Sequence, residues 1–311
     1  MTNLAQRVLT AAAAIPVIVL ITMIGGVPFF LFVAIASGVA LWEFYALTRS
    51  RGARPLTVPG IVIGFCINAA FFHAKIRGWV GGILGTWDLG FPSQAQLFMI
   101  LLIAGVVVLG LMELFRNNGS PLLNVSATIM GLLYVPLFFG TLIGIRELFI
   151  PVDFPVIRYF GSGAADPSNA LLLHRWGGYT VISVMSMIWI CDSAAYHVGM
   201  AAGKHKLYPR VSPNKSWEGA VAGFIAALAS AVAAKYLVLE YLPLSGAFVI
   251  GVIVGVIGQL GDLYESLLKR DAGVKDSSAL IPGHGGALDR FDSLLLVAPC
   301  VYLYLDFILF S

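Results

Sequence analysis

Nine long apolar runs, broken by short polar stretches, divide this chain of 311 residues. They lie roughly at 8–24, 27–47, 58–74, 95–115, 124–148, 178–201, 217–239, 245–268 and 291–310. A helix needs about 20 mostly apolar residues to cross the hydrocarbon core of a bilayer. Lipid offers no partner to backbone N–H and C=O groups, so runs of this kind cross as helices. The expectation is an all-α polytopic membrane protein with about nine transmembrane helices. Charged residues make up 11% of the chain, against about 25% in an ordinary soluble domain. That balance excludes a soluble enzyme and a disordered chain. Three Cys without paired spacing exclude a disulfide scaffold. A formal net charge of +3 is too mild for a nucleic-acid partner and ordinary beside anionic lipid.

The basic residues orient the runs. With the N-terminus cytoplasmic, the inward loops hold 13 of the 19 Lys and Arg, including Arg49, Arg51, Arg54, Arg116, Lys204, Lys206, Arg210, Lys215, Lys269, Arg270, Lys275 and Arg290. Positive loops stay inside, so nine crossings leave the C-terminus outside. Gly25-Gly26-Val27-Pro28 joins the first two runs as a hairpin turn. A second apolar run so close behind the first argues against a cleaved signal peptide. Residues 1–177 then read as an N-terminal region of about five spans ending in an external loop, 151–177. Residues 178–311 form a C-terminal region with cytoplasmic loops 202–217 and 269–290.

The scarce charges are concentrated. Of 35 Asp, Glu, Lys and Arg residues, 16 lie strictly between Asp192 and Asp292. Asp192 and Asp262 fall inside apolar runs, and a carboxylate at membrane depth costs at least about 2.5–3.5 kcal/mol, so it marks a polar cavity. Glu265, Ser266 and Lys269 follow Asp262 at offsets of three, four and seven, which places all four on one helix face. A carboxylate near a helix end that reaches interfacial water would explain either Asp alone, but not the stripe. The loop 202–217 carries Lys204, Lys206, Arg210 and Lys215 with Ser212 and Asn214, donors suited to phosphate oxygens, and leads into a helix start at Trp217. A bland basic loop would account for the charge but not for Ser212-Pro213-Asn214-Lys215-Ser216. Gly203-Lys204 is not a phosphate-binding P-loop, because Val198 stands where that motif needs Gly. The stretch 266–292 mixes four basic with four acidic residues around Pro282-Gly283-His284-Gly285-Gly286. Carboxylates beside phosphate-binding cations suit a Mg²⁺–nucleotide site.

These residues resemble the phosphatidate cytidylyltransferases, or CDP-diacylglycerol synthases. The resemblance rests on Ser266-Leu267-Leu268-Lys269-Arg270, Lys275-Asp276, Pro282-Gly283-His284-Gly285-Gly286 and Asp289-Arg290-Phe291-Asp292, with family-like gaps throughout. Upstream, Asp192-Ser193, Gly203 to Leu207, Val211 to Gly219 and Gly261-Asp262-Leu263 are similar too. Ala194 and Ala287 depart from the family pattern, and neither removes a chemical group.

The resemblance implies transfer of CMP from CTP to phosphatidic acid, giving CDP-diacylglycerol and diphosphate. It implies Mg²⁺, with Asp262 and Asp289 as ligands, and leaves room for a second ion in which Asp192 takes part. Lys204, Lys206, Ser212, Asn214 and Lys215 are candidates for CTP. Lys269, Arg270, Lys275, His284 and Arg290 are candidates for triphosphate or lipid phosphate. A homodimer in a bacterial inner membrane, its site facing the cytoplasm, completes the expectation. A CTP-dependent transferase or kinase acting on another membrane lipid would show similar groups. An ion-coupled transporter would also bury carboxylates, but would spread them over several spans.

Overall fold

The computed structural model describes residues 3–85, 90–149, 167–281 and 285–311. Helix dominates. In chain order the helices are α1 Asn3–Ile24, α2 Gly26–Arg49, α3 Thr57–Phe71, α4 His73–Gly85, α5 Gln94–Leu114, α6 Pro121–Tyr134, α7 Pro136–Glu147 and α8 Pro167–Ala202. After a short two-stranded ribbon come α9 Trp217–Leu237, α10 Leu244–Val252, a π-helical segment Ile253–Gly258, α11 Gln259–Asp271, α12 Leu288–Tyr304 and a last π-turn Leu305–Leu309. Seven helical stretches among the described residues are long and apolar enough to span a bilayer: Gly26–Arg49, Gln94–Leu114, Pro121–Glu147, Asn169–Ala202, Trp217–Leu237, Leu244–Asp271 and Leu288–Leu309. The other two expected runs differ in form. The first is a shorter apolar helix, Thr10–Ile24, and the third bends by 89° where α3 meets α4.

Two compact units emerge, and neither is a single stretch of chain. One comprises Met1–Thr10, Gly25–Glu147 and Asp276–Arg290; the other comprises Ala11–Ile24, Leu148–Lys275 and Phe291–Ser311. In the first unit, α2 carries a fully buried ridge of Leu41, Phe44 and Tyr45. Tyr45 packs against Gly60 and Gly131, where a Cβ would strike its ring, and its hydroxyl donates to the Thr128 carbonyl at 3.0 Å. A polar knot closes one end of this unit. Asn124 donates to Glu113 at 2.5 Å and accepts from the Arg54 backbone at 2.6 Å, while Arg116 donates to the Arg54 carbonyl at 2.7 Å. The apolar N-terminal half therefore buries more charge than its hydropathy implies: Glu43, Glu113 and Arg146 are all enclosed.

In the second unit, small residues let backbones meet, the common device for helix packing in lipid. A Cβ on Gly223 would stand 2.9 Å from the Cys191 carbonyl, and one on Gly219 2.5 Å from that of Ala195, so α9 lies tight against α8. Gly251 and Gly255 press on Leu228, Ala231, Phe224 and Ala227 of α9, which makes this glycine pair an intrachain contact. The π-helical segment immediately precedes α11. Such π-turns are frequent at functional sites, and this one ends four residues before Asp262.

Candidate active site

The polar stripe on α11 is where the second unit gathers its charge. Glu265 is fully buried and Lys269 nearly so, and their side chains pair at 2.6 Å across one turn. One turn before Glu265, Asp262 is only half-buried. Its Oδ2 meets Lys215 Nζ at 2.7 Å, and Ser266 Oγ donates to its Oδ1 at 3.3 Å. Lys215 arrives on the ribbon that replaces the expected irregular loop. Strands β1 Lys206–Tyr208 and β2 Ser212–Ser216 pair antiparallel, with Lys206 opposite Ser216 and Tyr208 opposite Ser212. Side chains alternate along a strand, so Lys215 turns toward α11 while Asn214 turns away and stays exposed.

The ribbon is fastened at both ends. Ser216 caps α9, its Oγ accepting from Gly219 N at 3.2 Å, and His205 Nδ1 lies 2.6 Å from Glu218 Oε1. Arg270, at the end of α11, donates from Nε to the Val211 carbonyl at 3.4 Å and from Nη1 to the Val274 carbonyl at 3.2 Å. In this structure Arg270 ties helix end to ribbon. Lys204, Lys206, Lys275 and Arg290 are exposed, and Ser212 is half-buried.

Close helix contact completes the acidic side. A Cβ on Gly261 would stand 2.9 Å from the Asp292 carbonyl and 3.1 Å from Ser293 Cα. Only glycine lets α11 and α12 approach so closely one residue before Asp262. Asp262 consequently lies within electrostatic reach of both Asp192 on α8 and Asp292 on α12. Four carboxylates, Asp192, Asp262, Glu265 and Asp292, face two ammonium groups, Lys215 and Lys269, leaving a formal charge of about −2 when all are ionised. Beside them the Ser293 hydroxyl is buried without a protein hydrogen-bond partner among the described residues. Among the described residues no three His, Cys, Asp or Glu side chains form a ready-made metal cage. Carboxylates that outnumber the ammonium groups facing them are nevertheless the donor chemistry a hard divalent cation takes, with its remaining positions filled by water or phosphate.

The first unit holds a second carboxylate arrangement, in which the sequence singled out Asp289 but not Glu43. Glu43 of α2 is fully buried. Its Oε1 accepts from Ser278 Oγ at 2.6 Å and Ala287 N at 3.0 Å, and its Oε2 accepts from Leu288 N at 2.8 Å. Ser277 Oγ stands 2.9 Å from both Glu43 Oε2 and Asp289 Oδ2, and its one proton serves one of them at a time. Asp289 Oδ2 also accepts from Ser277 N at 2.9 Å and Gly286 N at 2.8 Å. The two glycines are required here. Gly285 has φ +78°, and a Cβ there would meet Asp289 Oδ2 at 2.7 Å; one on Gly286 would meet Glu43 at 2.5 Å. His284 lies outside the described residues. The signal for Glu43 was one acid inside Ala40-Leu41-Trp42-Glu43-Phe44-Tyr45.

Residues 5–308 match the model of the cytidylyltransferase family. The chain belongs to that family. It is a nucleotidyltransferase, and among its relatives is a phosphatidate cytidylyltransferase of Bacillus subtilis, 30% identical over 98% of each chain. A phosphatidate cytidylyltransferase of Brucella suis is 32% identical over 98% of this chain and 94% of its own. One from Synechocystis is 29% identical over 98% and 97%. The family match runs through both carboxylate arrangements, the one on α11 and the one around Glu43.

Proposed function

We propose that this enzyme transfers CMP from CTP to phosphatidic acid, forming CDP-diacylglycerol and releasing diphosphate. The observation that carries this reading is the Lys215–Asp262 contact at 2.7 Å. It joins a basic, hydroxyl- and amide-bearing ribbon, suited to a triphosphate, to a helix face with excess carboxylate, suited to the cation that accompanies one. The names of the relatives supply the acceptor lipid.

The phosphatidate oxygen attacks the α-phosphorus in line with departing diphosphate. Both reactants are anionic, so alignment and charge screening are the protein's main tasks. Lys204, Lys206, Ser212, Asn214 and Lys215 bind CTP. Lys269, Arg270, Lys275, His284 and Arg290 serve phosphate groups of nucleotide or lipid. Asp262 would hold Mg²⁺, with Asp192 available for a second ion. Asp289 fits less well, because its Oδ2 already accepts two backbone N–H bonds and shares the Ser277 hydroxyl with Glu43; any share in metal binding falls to its other oxygen. When bound, the ion would neutralise phosphate charge and orient the triphosphate. No protein nucleophile is needed, since phosphatidate brings its own. The chain works as a homodimer in a bacterial inner membrane, and CTP enters from the cytoplasm.

Purified enzyme supplied with Mg²⁺, radiolabelled CTP and a panel of lipid phosphates tests the reading. Labelled CDP-diacylglycerol from phosphatidate alone is expected. Label on a different lipid assigns another acceptor, and label on none removes the reading.

A further inference from the structure

We propose that Glu43 is a positioning residue for CMP transfer, clamping Ser277, Ser278, Ala287 and Leu288 so that Asp289 and Arg290 are presented in one conformation. This rests on the function proposed above. The contacts are long-range, from α2 to a loop 234 to 245 residues later in sequence. An ionised carboxylate is acceptor-only. Here all four of its neighbours are donors: two hydroxyls from Ser277 and Ser278, and two backbone N–H groups from Ala287 and Leu288. The two N–H groups stand at the opening turn of α12, where a helix has donors without partners and favours negative charge.

The clamp reaches Asp289 through Ser277, whose hydroxyl lies between the two carboxylates and whose N–H donates to Asp289. Gly286 packs directly on the Glu43 carboxylate, so the loop backbone cannot shift toward α2. Glu43 itself has no exposed surface and contacts no reacting atom. It acts through the loop it holds. An amide at this position would turn N–H groups toward a ring of donors, which the same geometry cannot satisfy.

The test uses full-length protein in a Cys66→Ser background, because Cys66 is the one exposed thiol. A nitroxide is attached at Ala279→Cys in the loop or, as control, at Leu102→Cys on α5. Glu43→Gln should lower kcat by about 10²-fold, the scale of a small misplacement of catalytic groups, with the KM for CTP changed less than about threefold. Glu43→Asp keeps an acceptor-only group and should recover about tenfold of the lost kcat. The 279 label should gain mobility in Glu43→Gln while the 102 label does not. Normal kcat with an unchanged 279 spectrum overturns the proposal, as does equal loosening at 102. If Glu43→Gln does not accumulate in membranes, Ser278→Ala carries the test, with a several-fold loss of kcat and a more mobile 279 label expected; normal values for both overturn it. A wild type that makes no CDP-diacylglycerol, but whose loop still loosens in Glu43→Gln, sinks the functional reading and leaves the clamp.

Discussion

Lys215, on a strand, and Asp262, on a helix 47 residues later in sequence, sit 2.7 Å apart, and each is roughly a quarter to a third exposed. Such a pair contributes little to stability, about 0–1 kcal/mol, so its position is better explained by ligand chemistry. Asp262→Asn removes charge but hardly any volume. We expect CMP transfer to fall on the order of 10³-fold, the scale of losing one preorganised electrostatic group, while the protein inserts and melts as before. Turnover of the purified variant with Mg²⁺, beside its thermal midpoint, checks this. Glu265 and Lys269 differ, because burial makes each depend on the other. Removing one partner of a buried ion pair costs about 3–5 kcal/mol. Lys269→Met should therefore impair both yield and activity. Glu265→Gln with Lys269→Met should recover yield but not activity, as measured by membrane accumulation and kcat. Asp262 and its stripe were legible in sequence because offsets of three and four mark a helix face. Glu43 was not, because its four donors come from more than 230 residues away and leave no local pattern.

At the scale of elements, glycines decide where the charged side chains land. Gly261 allows α11 to touch the Asp292 carbonyl and Ser293 Cα, and that contact brings Asp262 beside Asp292. Gly261→Ala puts a methyl group against backbone, which only a shift of one helix relieves. Overpacking of this kind costs about 1–3 kcal/mol; CMP transfer should fall at least about tenfold, because misplacement penalises catalysis more steeply than folding. Activity assayed well below the variant's own melting point separates the two effects. Helices themselves were readable from hydropathy, and most of their bounds follow the apolar runs; α8 departs, because it begins at Pro167, inside the expected loop 151–177, where polar residues continue the helix beyond its apolar run. The ribbon was not, because Ser212-Pro213-Asn214-Lys215-Ser216 has neither apolar alternation nor β-branched residues, and its pairing depends on caps at Ser216 and Glu218. The π-helical segment likewise leaves no mark in composition.

For the whole molecule, the count of crossings decides which side the basic loops face. Seven helical stretches pass on length and hydropathy, leaving the first helix and the bent α3–α4 pair. The 15 residues of α3 span about 22 Å at 1.5 Å each, short of a hydrocarbon core of about 30 Å. Flanking side chains and local thinning of the bilayer accommodate that mismatch at modest cost. If α3–α4 returned to the side it left, every later loop would change sides. Lys204, Lys206, Arg210, Lys215, Lys269, Arg270 and Lys275 would then face outward, against the rule that positive loops remain cytoplasmic. With the N-terminus inside and α1 crossing, as proposed, the charge pattern argues for an α3–α4 pair that crosses. A single Cys at the exposed Ala279, with Cys66, Cys191 and Cys300 all replaced by Ser, should react with a membrane-impermeant maleimide in inverted vesicles and not in intact cells. A single Cys at the exposed Glu240 should show the opposite pattern. Labelling of position 279 from outside would mean that one of these two segments does not cross, and would overturn the proposed cytoplasmic entry of CTP.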